Sequence, residues 1–188
     1  MSDRSEALPP DSPVPIDDGA CAHLRESSLP PVRLRSSSGQ LIDLAALRGT
    51  VVIYMYPRIA VPDRPVPKGW DMIPGARGCT PQACRFRDLS GEFTALGIQL
   101  FGLSTQPSTY QRVAAERLHL PFELLSDDQL ELTHGWALPT FTVDGEVLLK
   151  RLTLIIRDGT VVKVFYPVFP PTTNADEVLR WLRSSAPS

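Results

Sequence analysis

Gly78–Asp88 reads GCTPQACRFRD, and two of the chain's three cysteines, Cys79 and Cys84, lie within it, five residues apart. Helix-start signals follow the first cysteine directly. Thr80 suits an N-cap and Pro81 the first helical position. Ala83, Phe86, Leu89, Phe93 and Leu96 then recur at helical spacing, so the sequence predicts a helix from Thr80 to about Leu96, stopped by Gly97. That places the Cys79 sulfur at the positive end of a helix, where a thiolate is stabilised. Arg77, Arg85 and Arg87 add positive charge nearby. Because the thiolate is the nucleophilic form of cysteine, Cys79 is a candidate reactive thiol. The alternative is a buried structural cysteine ahead of an ordinary amphipathic helix, since free Cys often behaves as a small hydrophobe.

The elements around this stretch set the fold class. Upstream, VVIYMY (Val51–Tyr56) is a continuous run of apolar β-formers ended by Pro57, and it reads as a central strand buried on both faces. Between them RIAVPDRPVPKGWDMIPGARG forms a loop dense in proline and glycine. Long loops inside compact domains are usually functional or disordered, and this one leads straight into Cys79. It therefore reads as a wall or lid over the site, anchored by Trp70. Downstream come a strand over Ile98–Ser104, a helix opened by Pro107 with Tyr110, Val113, Ala114 and Leu118 on one face, and a short strand at Phe122–Leu125. Ser126 or Asp127 caps a helix reaching about His134. This strand–helix alternation calls for parallel strands with crossover helices.

The last third changes style. Phe141–Val143 reads as a short edge strand, Val147–Arg157 as one long strand and Thr160–Tyr166 as another. Asp158-Gly159 joins the last two as a two-residue type I′ hairpin. Asn174 caps a final helix with Val178, Leu179 and Leu182 facing inward. Ahead of all this, Val32–Arg35 alternates apolar and polar, and Asp43 begins a short helical turn through Leu47. The sum is an α/β chain: βαβ units and then a ββα ending around a mixed central β-sheet flanked by helices, the layout of a thioredoxin-like fold.

Composition narrows the function classes. With 188 residues and 43% hydrophobic content, one sizeable core is expected. A formal net charge of -2 without blocks of like charge argues against nucleic acid or a polybasic membrane contact as the main partner. No apolar run is long enough to span a bilayer and no signal peptide is visible, so the expectation is a cytoplasmic protein with reduced thiols. A zinc site is disfavoured: beyond the Cys79/Cys84 pair there remain only Cys21, His23, His119 and His134, and none forms a second ligand pair near Cys79. Cys21 is either an unusually placed resolving thiol or a lone cysteine without a redox role.

GCTPQACRFRD closely resembles the active-site segment of the peroxiredoxins, most of all the peroxiredoxin Q (bacterioferritin-comigratory) type. FGLSTQ, LLSD and KRLTLIIRDG resemble further segments of the same group, over roughly Leu29 to Leu182. The resemblance implies a peroxidatic role for Cys79, a resolving role for Cys84 and an activating role for Arg151. It also implies a thioredoxin-dependent peroxidase that needs no metal, haem or flavin cofactor. Its reductant would be thioredoxin or glutaredoxin, and it would work as a monomer or weak homodimer. On this reading residues 1–28 are an extended N-terminal tail, 29–188 are the thioredoxin-like domain, and 58–77 are a proline-rich insertion. The chain departs from the family's Pro-x-x-x-Thr/Ser-x-x-Cys pattern. Ala76 stands at the hydroxyl position and Met72 at the proline position, which leaves Thr80 or Tyr56 to supply a hydroxyl, or none at all. A thioredoxin-like disulfide carrier or thiol sensor, and a non-catalytic binding module, are the rival readings. Against the carrier stands the four-residue gap between the cysteines, where such proteins use C-x-x-C.

Overall fold

The computed structural model describes residues 8–60 and 65–185. Among the described residues nine strands and five α-helices follow in the order β1 (Arg33–Ser36), β2 (Leu41–Asp43), β3 (Thr50–Met55), α1 (Cys79–Asp88), α2 (Ser90–Ala95), β4 (Gln99–Ser104), α3 (Ser108–Arg117), β5 (Glu123–Ser126), α4 (Glu131–Gly135), β6 (Thr140–Val143), β7 (Glu146–Leu149), β8 (Leu152–Arg157), β9 (Thr160–Phe165) and α5 (Asn174–Ser184). The main sheet has the order β2-β1-β5-β4-β3-β8-β9, while β6 and β7 pair as a separate hairpin. β3 runs parallel to β4 and β4 to β5, whereas β8 and β9 join antiparallel at the β3 edge. The expected mixed α/β thioredoxin-like sheet is therefore present.

β3 lies between β4 and β8, and its side chains alternate between two cores, as the two-residue period of a strand requires. Val51, Ile53 and Met55 join one cluster with Cys21, Leu24, Leu132 and Trp136. Val52, Tyr54 and Tyr56 join the other with Cys79, Cys84, Phe86, Phe93, Val178 and Leu182. On this second face the Tyr54 ring stacks on Phe86 of α1, with centroids 4.4 Å apart and planes 9° from parallel. Gly102 of β4 makes room for that tyrosine: a Cβ there would lie 2.6 Å from Leu124 Cδ2 and 2.8 Å from the Tyr54 ring and hydroxyl.

Several elements differ from their sequence reading. The expected single helix to Leu96 is two, because Leu89 leaves helical geometry between α1 and α2, and α1 begins at Cys79 with Gly78 as its cap. Val113 of α3 is 42% exposed; that helix buries Gln111 and Ala114, and Leu118 is buried just past its end. The run Val147–Arg157 is not one strand: it breaks at Lys150–Arg151, where the chain passes from the small hairpin into the main sheet. Asp158-Gly159 does form the tight hairpin, with both residues at positive φ. Within the stretch read as a tail, residues 20–28 are built into the body. Leu24 is buried, and the Glu26 N–H donates to Val161 O at 2.9 Å.

The proline-rich loop after β3 has its own small core. Trp70 and Ala76 pack with Leu148, supported by Ile73 and Phe141, so the loop is seated on the β6–β7 hairpin. Trp70 anchors it: the indole is 6% exposed and lies 6.2 Å from the Phe141 ring centre.

The close approach at Gly102 yields a test. In Gly102→Ala, Leu124 and the Tyr54–Phe86 stack must shift to admit the methyl group, an overpacking cost of about 2 kcal/mol. Thermal unfolding followed by circular dichroism is expected to show a melting temperature lower by about 4–8 °C.

Candidate active site

Cys79 is the first residue of α1. Gly78 before it has φ of 98°, and a Cβ at that position would come within 2.3 Å of Pro171 Cγ. Only glycine meets both the left-handed backbone and the closeness of Pro171. The Cys79 side chain is 5% exposed. Its Sγ lies 3.7 Å from Ala76 O, to which the thiol donates, and 3.2 Å from Arg151 Nη2. As a thiolate the same sulfur accepts from the guanidinium, a charge-assisted hydrogen bond.

Arg151 is 4% exposed. Its Nη2 donates to the carbonyls of Gly75, Ala76 and Arg77 at 3.2, 3.3 and 3.0 Å as well as to the sulfur, and its Nη1 donates to Gln82 Oε1. The sequence placed Arg151 inside a continuous strand; it stands instead in the gap between β7 and β8. Leaving strand geometry there frees the side chain to reach under the loop. Lys150 goes outward to Asp18, with Nζ 2.7 Å from Oδ2. The Arg151 Nε is buried and has no hydrogen-bond partner among the described residues.

Two residues behind the arginine escaped the sequence reading. Gln82 is fully buried on α1, and its Nε2 donates to Asn174 Oδ1 at 3.0 Å; the Thr153 hydroxyl donates to the same oxygen at 2.8 Å. Asn174, expected as the cap of the last helix, is a buried member of this chain of polar groups, and α5 begins without a side-chain cap. The one signal available in sequence was a glutamine on the apolar side of α1, between the two cysteines.

The arginines flanking Cys79 in sequence are occupied elsewhere. Arg77 pairs with Asp71 at 2.9 Å, and Arg85 Nε donates to Asp176 at 2.8 Å. Arg87 bonds Asp88 and, at 3.0 Å, Leu118 O. Of the candidate hydroxyls, that of Tyr56 donates to Gln111 Oε1 at 2.7 Å, and burial pushes its pKa well above the ordinary tyrosine value. Thr80 is half-buried at the second position of α1. Ala76 is fully buried in the loop's apolar core beside Trp70, a place unsuited to a hydroxyl.

All three cysteines are reduced. Cys84 is buried at 8% exposure on the same helix as Cys79. Two Cα atoms five residues apart on an ideal helix are separated by about 8.6 Å, beyond the roughly 7 Å that a disulfide tolerates. A bond between them requires the first turns of α1 to unwind. Cys21 belongs to the core on the opposite face of the sheet. Burial, with the Asp18 and Asp17 carboxylates nearby, pushes its thiol up to about 12, so it stays protonated and unreactive at neutral pH. Among the described residues no group of three or more His, Cys, Asp or Glu side chains could hold a metal ion, and no helix is long and apolar enough to cross a membrane.

A free cysteine at a helix start, facing a buried arginine, with a second cysteine on the same helix, is an arrangement able to carry thiol redox chemistry on a thioredoxin-like sheet. The chain belongs to the redoxin family, whose profile matches residues 25–179. It is 29% identical over 186 residues to the chloroplastic peroxiredoxin Q of Suaeda salsa, covering 98% of this chain and 79% of that one. Among solved structures it resembles the peroxidoxin BcpB of Mycobacterium tuberculosis, with a TM-score of 0.71 and 28% identity over 87% of this chain and 98% of that chain. It also resembles peroxiredoxin Q of Xanthomonas campestris, with a TM-score of 0.67 and 25% identity over 83% of this chain and 92% of that chain. The resemblance to the peroxiredoxin Q type expected from GCTPQACRFRD is thereby borne out.

Two outcomes follow from this geometry. Removing the guanidinium in Arg151→Ala takes away the cation that touches the Cys79 sulfur, so iodoacetamide alkylation at neutral pH is expected to slow and peroxide turnover to fall by about 100-fold. In the native protein at pH 8 the same reagent is expected to leave Cys21 unlabelled, read by mass spectrometry of tryptic peptides, with labelling appearing only on unfolding.

Proposed function

We propose that the chain is a thiol-dependent peroxidase that reduces hydrogen peroxide and organic hydroperoxides, with Cys79 as the peroxidatic cysteine, Cys84 as the resolving cysteine and Arg151 as the activating cation. The observation that carries this reading is the 3.2 Å approach of Arg151 Nη2 to the Cys79 sulfur at the start of α1. The Cys79 thiolate attacks one peroxide oxygen, the O–O bond breaks, and the departing oxygen leaves as water or alcohol, so that Cys79 becomes a sulfenic acid. A fixed guanidinium stabilises both the initial thiolate and the charge that moves onto the departing oxygen. Its Nε, without a partner among the described residues, supports that role. A buried donor without an acceptor costs about 1–3 kcal/mol, a cost a peroxide oxygen accepting from it would remove.

Cys84 then attacks the sulfenic sulfur, water leaves, and a Cys79–Cys84 disulfide forms. Unwinding of α1 in this step separates Gln82 from Arg151 and Asn174, since Gln82 lies between the two cysteines. Thioredoxin or glutaredoxin returns both residues to thiols by dithiol–disulfide exchange. The reaction needs no metal or organic cofactor. The protein acts as a monomer or weak homodimer in a reducing compartment such as the cytoplasm.

The test couples peroxide consumption by the purified protein to thioredoxin, thioredoxin reductase and NADPH. Wild type is expected to turn over, Cys79→Ser to be inactive and Cys21→Ser to keep most of the activity. After one equivalent of peroxide, peptide mapping is expected to find Cys79 linked to Cys84 within one chain. Unchanged turnover in Cys79→Ser, or a dominant linkage to Cys21, refutes the assignment. Disulfide exchange without peroxide consumption would favour a disulfide carrier.

A further inference from the structure

A segment that the peroxidase chemistry does not use crosses the front of the site. Leu8 lies against Gly78: a Cβ on that glycine would sit 3.4 Å from Leu8 Cδ2. Pro15 lies against Gly75, where a Cβ would be 3.4 Å from its Cγ. Asp18 fastens the segment to the body. Its carboxylate accepts from Lys150 Nζ at 2.7 Å and from the Tyr166 hydroxyl at 2.8 Å, and these bonds hold it ionised, well below the usual carboxylate range. Beside Pro15 is a cleft of about 370 Å³ whose walls include Val14, Ile16, Ile73, Phe141, Val168 and Arg151. Val14 and Ile16 are 62% and 83% exposed.

The cleft's size and chemistry say what it suits. A water-sized molecule needs only about 30 Å³, so hydrogen peroxide would leave most of the space to solvent. The volume falls in the range of small-ligand sites, about 300–1,000 Å³, and the mostly apolar lining resembles theirs. Gly75 and Arg151 belong both to this cleft and to the Cys79 site, Gly75 through the carbonyl that receives Arg151 Nη2. The cleft therefore adjoins the Cys79 site through these two shared residues. Lys150, also in the wall, is paired with Asp18, which suits an uncharged tail better than a carboxylate.

We propose that Val14 and Ile16, held in place by the Asp18 tether, are specificity-determining residues that form one wall of a subsite for the tail of uncharged apolar hydroperoxides. This rests on the peroxidase reading above. An alkyl or aryl tail displaces water from apolar surface and gains hydrophobic contact that hydrogen peroxide cannot make. The wall comes from the N-terminal segment and the facing side from the proline-rich loop. Both lie outside the strands and helices of the thioredoxin-like core.

The test compares kcat/KM for cumene hydroperoxide and for hydrogen peroxide. In a Val14→Ser/Ile16→Ser double variant the cumene value is expected to fall about tenfold, while the hydrogen peroxide value stays within about twofold. Asp18→Ala, which releases the tether, is expected to shift the ratio in the same direction. Equal loss on both peroxides, or no change in the ratio, overturns the proposal. Calorimetric binding of cumyl alcohol, the non-peroxidic product, gives a readout independent of turnover. Wild type is expected to bind it and the double variant to bind about fivefold more weakly. Absence of binding, or equal binding by both, also overturns the subsite. A wild type that binds cumyl alcohol but consumes neither peroxide refutes the peroxidase reading and leaves the subsite standing.

Discussion

A guanidinium buried beside a cysteine sulfur governs the architecture around it. Arg151 is nearly sealed from solvent, and a buried cation is tolerable only when its donors find acceptors. Three successive carbonyls, Gly75 to Arg77, turn toward it, and Gln82 and Cys79 complete the shell. That need explains why the proline-rich loop ends as it does. It explains equally why the β-run from Val147 breaks just at Arg151, since a residue held in regular ladder geometry could not reach beneath the loop. The loop's seating through Trp70 and Ala76 on the β6–β7 hairpin keeps those carbonyls in place.

Helix α1 faces two opposed demands. It must present the sulfur at its first turn, which Gly78 and the Tyr54–Phe86 stack secure. It must also yield at that turn if Cys84 is to reach Cys79. The structure separates the demands along the helix. Phe86, at the far end, is held by the aromatic stack over Gly102. The near end packs Cys79 and Ala83 into the same core but also carries the polar contacts of Gln82 to Arg151 and Asn174, which can break and be replaced by water.

The sheet itself acts as a partition. Cys21 belongs to one core and the Cys79–Cys84 pair to the other, with the strands between them. Burial and two nearby carboxylates keep the Cys21 thiol protonated. The arginines on either side of Cys79 are paired with Asp71, Asp176 and Asp88, which leaves Arg151 as the guanidinium that touches the sulfur.

The sequence alone determined the elements whose signals are local. VVIYMY is a buried strand because it is apolar on both sides of the pleat, Asp158-Gly159 turns because both residues tolerate positive φ, and Cys79 lies at a helix start, one residue ahead of the boundary that Thr80-Pro81 suggested. It also carried the family resemblance that singled out Arg151. Tertiary structure decided what depends on contacts between distant segments. The strand break at Lys150–Arg151 is invisible in a run of uniformly β-forming residues, because its cause is the loop carbonyls some 75 residues upstream. Asn174 looks like a helix cap in one dimension and becomes a buried acceptor only when α5 packs beside Gln82 and Thr153. Flanking arginines look like activators until their acidic partners are placed beside them. The N-terminal segment reads as tail by composition, since its prolines and aspartates carry no periodicity. Its course across the site follows from Pro15 on Gly75 and Asp18 on Lys150 and Tyr166, pairings that no local pattern encodes.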